Sequence, residues 1–280
     1  MSKVIFSTEV GKEVKKVVAT LPSSKVAVLV DENTHEHCLP HLGIKDFVLI
    51  RINSGEVHKN LATCQFIWET LTDHGFDRQG LLLNLGGGVI GDMGGFCAST
   101  YKRGIRFVNI PTTLLAQVDA SVGGKLGIDF NRFKNHIGIF AEPEAVIIDP
   151  FFLETLPANE LRSGFAEVIK HHLIRDLDGW KQLSQSKMET LNWLEVIKHS
   201  VEIKNDIVIK DPKESGVRKI LNFGHTIGHA LESHYLNSDE PLLHGEAIAL
   251  GMICESHISY QKNMISKEML KEITGCITRN

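Results

Sequence analysis

Leu81-Leu82-Leu83-Asn84-Leu85-Gly86-Gly87-Gly88-Val89-Ile90-Gly91-Asp92 reads as a buried strand that runs into a glycine turn and then a helix. Glycines let a backbone approach a pyrophosphate closely, and the N-terminus of a following helix offers free N–H groups and the positive end of its dipole. The pattern is not G-x-G-x-x-G, and Asp92 puts a charge where a simple phosphate grip would avoid one. A tight strand-to-helix turn accounts for the glycines equally well. Ile110-Pro111-Thr112-Thr113 shifts the balance: it is a second strand end, with two hydroxyls, just before Asp119 to Lys125. Two strand ends presenting polar groups predict a dinucleotide crevice.

Outward from this stretch the theme repeats. Residues 25–30, 47–52, 107–110 and 145–148 are short and rich in β-branched residues, and residues 61–74 carry apolar residues at helical spacing. Strands apolar on both faces and alternating with helices predict a mostly parallel, Rossmann-like sheet covered on both sides. After Asp149-Pro150 the character changes. Residues 160–175, 190–210, 220–235, 245–262 and 266–275 all carry helical patterns, with glycine turns between them and no strand. The sequence therefore predicts an α/β domain over residues 1–149 and an all-α domain over 150–280, with a ligand in the cleft between them.

Composition narrows the function classes. With 42% hydrophobic and 23% charged residues in a chain of 280, this is ordinary globular composition. A formal net charge of -4 without a basic cluster predicts no nucleic-acid partner. The apolar runs are too short to span a bilayer, and the N-terminus lacks the regions of a signal peptide. The five cysteines are scattered, odd in number and without C-x-x-C, as expected of free thiols in a reducing compartment, the cytoplasm.

Chemistry-bearing residues concentrate in three motifs of the second half. Glu167 lies in Gly164-Phe165-Ala166-Glu167-Val168-Ile169-Lys170, His225 in Asn222-Phe223-Gly224-His225-Thr226-Ile227-Gly228-His229, and His244 in Leu243-His244-Gly245-Glu246. One carboxylate and two imidazoles form a ligand set suited to catalytic zinc, with the fourth position open. No cysteine lies near them, which excludes a closed thiolate site. His225 and His229 share a helix face, although core histidines do so too, and Thr226 stands where a metalloprotease has Glu. Glu167 and Lys170 also share a face; in apolar surroundings such a pair needs a partner, and a metal would serve. Arg218, Asn222 and His225 fall on one stripe if the helix starts early enough. Arg218 with Lys204 would then suit a carboxylate, and Asn222 with histidine would suit phosphate oxygens. Lys125, in a Ser-Val-Gly-Gly turn, and Lys134-Asn135, in a second polar loop, are phosphate contacts or plain surface, as is Arg103 in a basic loop. His35, His37, His41, His58, His74 and His199 lie in no comparable context and read as structural.

Residues 86–92, 101–104, 111–119, 121–129, 166–170, 221–230 and 243–246 together resemble the 3-dehydroquinate synthase family, in order from near the first strand to near Cys254. The resemblance implies a sugar-phosphate cyclase of the shikimate pathway, with an NAD-binding domain, a helical metal-binding domain and a cytoplasmic homodimer. Position by position, it implies that Glu167, His225 and His244 bind Zn2+ or Co2+. It assigns NAD to Asp31, Glu56, Lys59, Gly87, Gly88, Asp92, Thr112, Thr113 and Lys134. Lys125, Asn135, Asn222 and His229 would surround the substrate phosphate, with Arg103 reaching in from the other subunit. Arg218 and Lys204 would grip the carboxylate, and Asp119 and Lys170 would sit by the ring hydroxyls. The implied substrate is a phosphorylated sugar acid, 3-deoxy-D-arabino-heptulosonate 7-phosphate, with NAD used catalytically. The resemblance also implies closing helices and a phosphate-contacting lysine beyond Asn280, so the chain reads as shortened at its C-terminus. A related cyclase making another ring, or an inactive shortened homologue, is the alternative.

Overall fold

Six short strands pair in parallel because their flanking helices carry the chain back across the sheet each time. In the computed structural model, residues 3–131, 133–212, 214–235, 238 and 242–280 are described. The chain divides into two compact units, Met1–Leu156 and Pro157–Asn280. The first runs β1 (Lys3–Phe6), α1 (Val10–Thr20), β2 (Val26–Val30), α2 (Glu32–His37), β3 (Val48–Arg51), α3 (Leu61–Asp73), β4 (Leu81–Gly86), α4 (Gly88–Thr100), β5 (Arg106–Pro111), β6 (Lys125–Phe130), β7 (Phe133–Phe140) and β8 (Ala145–Ile148). The main sheet has the order β1-β8-β5-β4-β2-β3, with every pairing parallel. β4 and β8 are buried along their whole length, which is why they are apolar runs, broken only by Asn84 in β4.

Alternation sorts the side chains onto two faces. Ala27, Leu29, Leu82 and Phe107 pack with Ile67, Met93 and Cys97 of α3 and α4. Val28, Leu81, Leu83, Leu85 and Val108 pack with Val14 of α1. The polar exceptions pair only in part: Asn84 and Asn109 face one another in the β4–β5 register, and the Asn84 amide donates to Asn109 Oδ1 at 2.9 Å, while the buried Asn84 Oδ1 has no hydrogen-bond partner among the described residues.

From β2 the chain turns to β3 on one side, and from β4 to β5 on the other. The carboxyl ends of β2 and β4 thus flank a reversal of strand order, where open parallel sheets bind ligands. Asp31, Gly87 and Gly88 follow directly on these two ends.

Three features depart from the sequence expectation. The division falls after Leu156 rather than at residue 150. The Asp149 carboxylate accepts the N–H of Val10 at 2.9 Å and that of Phe151 at 3.0 Å, and Phe152 enters the α1 face of the sheet, so the 3-10 helix Pro150–Thr155 stays with the first unit. Lys134 and Asn135 lie on β7, not in a loop. β6 and β7 form an antiparallel pair outside the main sheet, with a register irregularity between Ile128 and Phe130. Only one side of this hairpin is covered, by Leu126 and Ile128, so β7 keeps a mixed polar sequence. Edge strand β1 also lacks an extended apolar run.

The second unit contains α5 (Ala158–Arg175), α6 (Leu177–Leu183), α7 (Trp193–Lys210), α8 (His225–Tyr235), α9 (His244–Gln261) and α10 (Lys267–Arg279), and no strand among the described residues. Among the described residues of either unit, no helix is long and apolar enough to cross a membrane. Glycine decides how closely α8 and α9 approach. A Cβ on Gly251 of α9 would lie 1.9 Å from the Gly224 carbonyl oxygen, and one on Gly228 of α8 would lie 2.9 Å from the Ala247 carbonyl oxygen. Gly224 itself has φ +81, a conformation few other residues accept.

Candidate active site

α5, α8 and α9 each deliver one member of a buried cluster. Glu167 sits mid-α5 with no exposed surface. Its Oε1 is 3.8 Å from Nε2 of His225, the first residue of α8, and 3.8 Å from Nε2 of His244, the first residue of α9. A donor atom from each lies within 4.8 Å of the others, a spacing one tetrahedral ion can bridge. His225 and His244 are thus gathered at helix starts around a carboxylate that burial would otherwise make costly.

The surroundings orient these three side chains. Nδ1 of His225 contacts the Phe223 carbonyl at 3.2 Å, which leaves Nε2 facing Glu167. Nδ1 of His244 lies 3.6 Å from Oε2 of Glu232, a carboxylate on the far side of the ring from Glu167. Such an outer carboxylate fixes the tautomer and ring orientation of a metal-binding histidine. Burial, followed by the charge of Lys170, lowers the His225 pKa from its ordinary 6.5 to about 4, so the imidazole stays neutral and its lone pair available. The close packing continues at Gly245, whose N–H donates to Ser163 Oγ at 3.0 Å, while its Cβ position would lie 1.9 Å from the Ser163 carbonyl oxygen. Ser163 is one helical turn before Glu167, so glycine next to His244 docks α9 onto the stretch of α5 that carries the carboxylate.

Lys170, itself buried, is ion-paired to Glu167 Oε2. His229 is exposed on α8, one turn beyond His225, with ring centroids 5.1 Å apart, and its centroid is 5.9 Å from that of His244. The expected Arg218–Asn222–His225 stripe is interrupted: Arg218 and Asn222 lie in a 3-10 helix (Val217–Asn222), and α8 begins only after the Gly224 turn. Asn222 is exposed and donates to Glu214 at 2.8 Å.

Arg218 is buried by a device that the sequence does not advertise. The Asp211 carboxylate accepts N–H groups from Gly216 at 2.6 Å, Arg218 at 3.0 Å and Ser215 at 2.9 Å, and these hold its pKa down at about 2. The Arg218 guanidinium donates to the Pro212 carbonyl at 2.8 Å. The one sequence hint was an Asp-Pro followed by Ser-Gly just before Arg218. Lys204 is buried on α7.

The first unit gathers a second group at the switch point. Gly87 is the N-cap of α4, and a Cβ there would meet Thr113 Cγ2 at 3.0 Å, so glycine lets the strand ends of β4 and β5 approach without crowding Thr113. Gly88 opens α4, and Thr112 is buried after β5. Asp31 caps α2 by accepting the Thr34 N–H at 2.8 Å. Lys59, only 3% exposed, links three elements: its ammonium donates to Asp92 of α4 at 2.7 Å and to Asn135 of β7 at 2.6 Å. Burial opposes its charge, but Asp92 and Glu56 outweigh that and raise its pKa. Asn135, with φ 50, donates its N–H to Asp129 at 2.7 Å. Asp119 lies in the π-turn Ala116–Ala120 and is half-buried, whereas Arg103, Lys125 and Lys134 are exposed. Asp129, Asp211 and Glu232 are contacts that pattern alone did not single out.

Comparison with known proteins agrees with this geometry. The family described as 3-dehydroquinate synthase N-terminal matches residues 49–163, and that described as 3-dehydroquinate synthase C-terminal matches residues 164–280. A 3-dehydroquinate synthase of Parabacteroides distasonis is 41% identical over 278 residues, covering 97% of this chain and 79% of that protein. Among solved structures, 2-epi-5-epi-valiolone synthase from Streptomyces hygroscopicus subsp. jinggangensis, with NAD+ and Zn2+ bound, aligns with TM-score 0.89 at 26% identity, covering 99% of this chain and 80% of that one. A 2-deoxy-scyllo-inosose synthase complexed with carbaglucose-6-phosphate, NAD+ and Co2+ aligns with TM-score 0.84 at 26% identity, covering 98% and 78%.

Proposed function

The chain belongs to the 3-dehydroquinate synthase family, and from that premise we propose that it converts 3-deoxy-D-arabino-heptulosonate 7-phosphate to 3-dehydroquinate and phosphate. The observation that carries this reading is the buried Glu167 carboxylate with His225 and His244 each 3.8 Å away. That donor set fits Zn2+ or Co2+. The glycine-lined end of β4, beside Asp31 and Thr112, fits a dinucleotide. When bound, NAD supplies a reversible hydride acceptor, and the metal supplies Lewis-acid polarisation of a substrate hydroxyl.

The chain's own residues bind, orient and move protons. Lys170, ion-paired to Glu167, stands beside the residues that would hold the metal, and with Asp119 it serves the ring hydroxyls. Arg218, anchored through Asp211, and Lys204 bind the substrate carboxylate as two buried cations. Lys125, Asn135, Asn222 and His229 hold the phosphate until it leaves, with Arg103 contributed by the partner of a homodimer. Asp31, Glu56, Lys59, Gly87, Gly88, Asp92, Thr112, Thr113 and Lys134 hold NAD. Several anchors on one substrate restrict it to the geometry each step needs. The net reaction breaks a carbon–oxygen bond to phosphate and closes a carbocycle without net redox, which makes the enzyme a carbon–oxygen lyase acting on a phosphate, in the cytoplasm.

The test is phosphate release from this substrate with Zn2+ and sub-stoichiometric NAD. Many phosphates per NAD, stopped by a chelator, are expected. One phosphate per NAD, or none, would overturn the proposal; release only from a sugar phosphate without the carboxylate would reassign the chain to another cyclase.

A further inference from the structure

We propose that His172, Asp176 and His199 form a second divalent-metal site, of the borderline zinc, cobalt or nickel class, that clasps α5, α6 and α7. The three residues come from the last turn of α5, the cap before α6 and the first half of α7. One donor atom from each lies within 4.8 Å of the other two. Two imidazoles and one carboxylate on one side of an ion leave its remaining positions to water, a combination that first-row divalent metals accept.

A helix-capping aspartate with a histidine partner would explain part of this arrangement. Asp176 does cap α6, its Oδ1 accepting the Gly179 N–H at 3.0 Å, and its Oδ2 meets His199 Nε2 at 2.6 Å. That account leaves His172 unexplained. His172 is buried, and its Nδ1 lies 2.8 Å from the Val168 carbonyl, which can only accept. The ring hydrogen therefore sits on Nδ1, and Nε2 keeps its lone pair, the tautomer that a carbonyl partner imposes on metal-binding histidines. The His172 and His199 rings stand 5.2 Å apart between centroids.

Gly179 keeps the space between the donors clear. A Cβ there would lie 2.1 Å from Asp176 Oδ2 and 2.9 Å from His172 Cδ2. Access is open on the other side, since the side chains of His199 and Asp176 are 43% and 27% exposed. A bound ion would displace the proton now shared between His199 and Asp176. It would also tie the end of α5 to α7, the helices that carry Lys170 and Lys204.

The test is a Co2+ titration of the chelator-stripped full chain, followed by visible absorption. Wild type should bind two equivalents, His225→Ala one, His199→Ala one, and the double variant none. His199→Gln, which keeps a polar side chain at this half-exposed position, should repeat the result of His199→Ala if folding is intact. In the His225→Ala background, excess Co2+ should raise the melting temperature by at least ~3 °C, and adding His199→Ala should abolish the rise. One equivalent in wild type, or none in His225→Ala, would overturn the proposal. Because the difference between His225→Ala and the double variant isolates this site, the result stands or falls separately from the cyclase reading.

Discussion

Replacing Gly251 with alanine should dismantle the Glu167–His225–His244 cluster without unfolding the protein. The new Cβ would stand 1.9 Å from the Gly224 carbonyl oxygen, while ordinary contact begins near 3.4 Å. Neither partner can rotate away, because both are backbone, so α8 and α9 must part by about 1.5 Å. Overpacking of this kind costs about 1–3 kcal/mol, and alanine's better helix propensity returns up to ~1 kcal/mol, so the fold should survive. The ligand geometry should not: metal–ligand distances tolerate only about 0.2 Å, and His225 and His244 start the two helices being separated. We expect metal affinity to fall by at least ~100-fold, a loss at the upper end of what disturbed ligand orientation causes. Competition with a chromophoric chelator measures it. Gly275→Ala is the control: nothing lies within 4 Å of its Cβ position, so it should leave the affinity unchanged. Wild-type affinity in Gly251→Ala would refute the claim that close helix packing sets the ligand geometry.

Three further outcomes are expected. Lys59→Gln should weaken NAD binding by at least ~10-fold, because a buried cation joining Asp92 to Asn135 is lost; coenzyme titration by fluorescence checks it. Asp211→Ala should raise KM more than it lowers kcat, since the carboxylate that fixes the Arg218 backbone is removed while the Glu167 cluster stays whole; steady-state kinetics separate the two constants. For the metal-free protein, the folded-state pKa of His225, about 4, lies below its ordinary 6.5. The unfolded chain then binds more protons between these values, so this contribution is complete above pH 6.5 and is lost as pH falls toward 4. Melting temperatures measured across that window should fall with acid in wild type and fall less in His225→Asn.

The strands β2, β3, β4, β5 and β8 and the three motifs whose Glu167, His225 and His244 the fold brings together were legible because both burial and chemistry write locally. A strand buried on both faces is apolar at nearly every position, as β4 and β8 are, and a histidine beside glycine at a helix start is visible in a few letters. The hairpin β6–β7 was not, because its outer side chains meet solvent and its polar residues resemble a loop. The continuous stripe expected through Arg218, Asn222 and His225 failed at Gly224, where φ +81 turns the backbone out of a helix. Asp211 escaped notice because its role is to collect N–H groups of a turn that forms only in the fold. His172, Asp176 and His199 escaped for a related reason: they sit on three elements, so no spacing announces them. Glu232 could have been found, lying on the same α8 face as His225 and His229.

The order of the sheet has a consequence for synthesis. β1 leaves the ribosome well before its neighbour β8, with which it pairs, Lys3 facing Ala145, and the Val10 N–H waits for the carboxylate of Asp149. At elongation speeds of about 5–20 residues per second, that partner follows on the order of ten seconds later. The central strands β2, β4 and β5 can pair in the meantime, since β1 is at an edge and none of them depends on it. The nascent chain thus carries Val4, Ile5 and Phe6 uncovered until the first unit is nearly complete, and closure of this edge is the step that seals it.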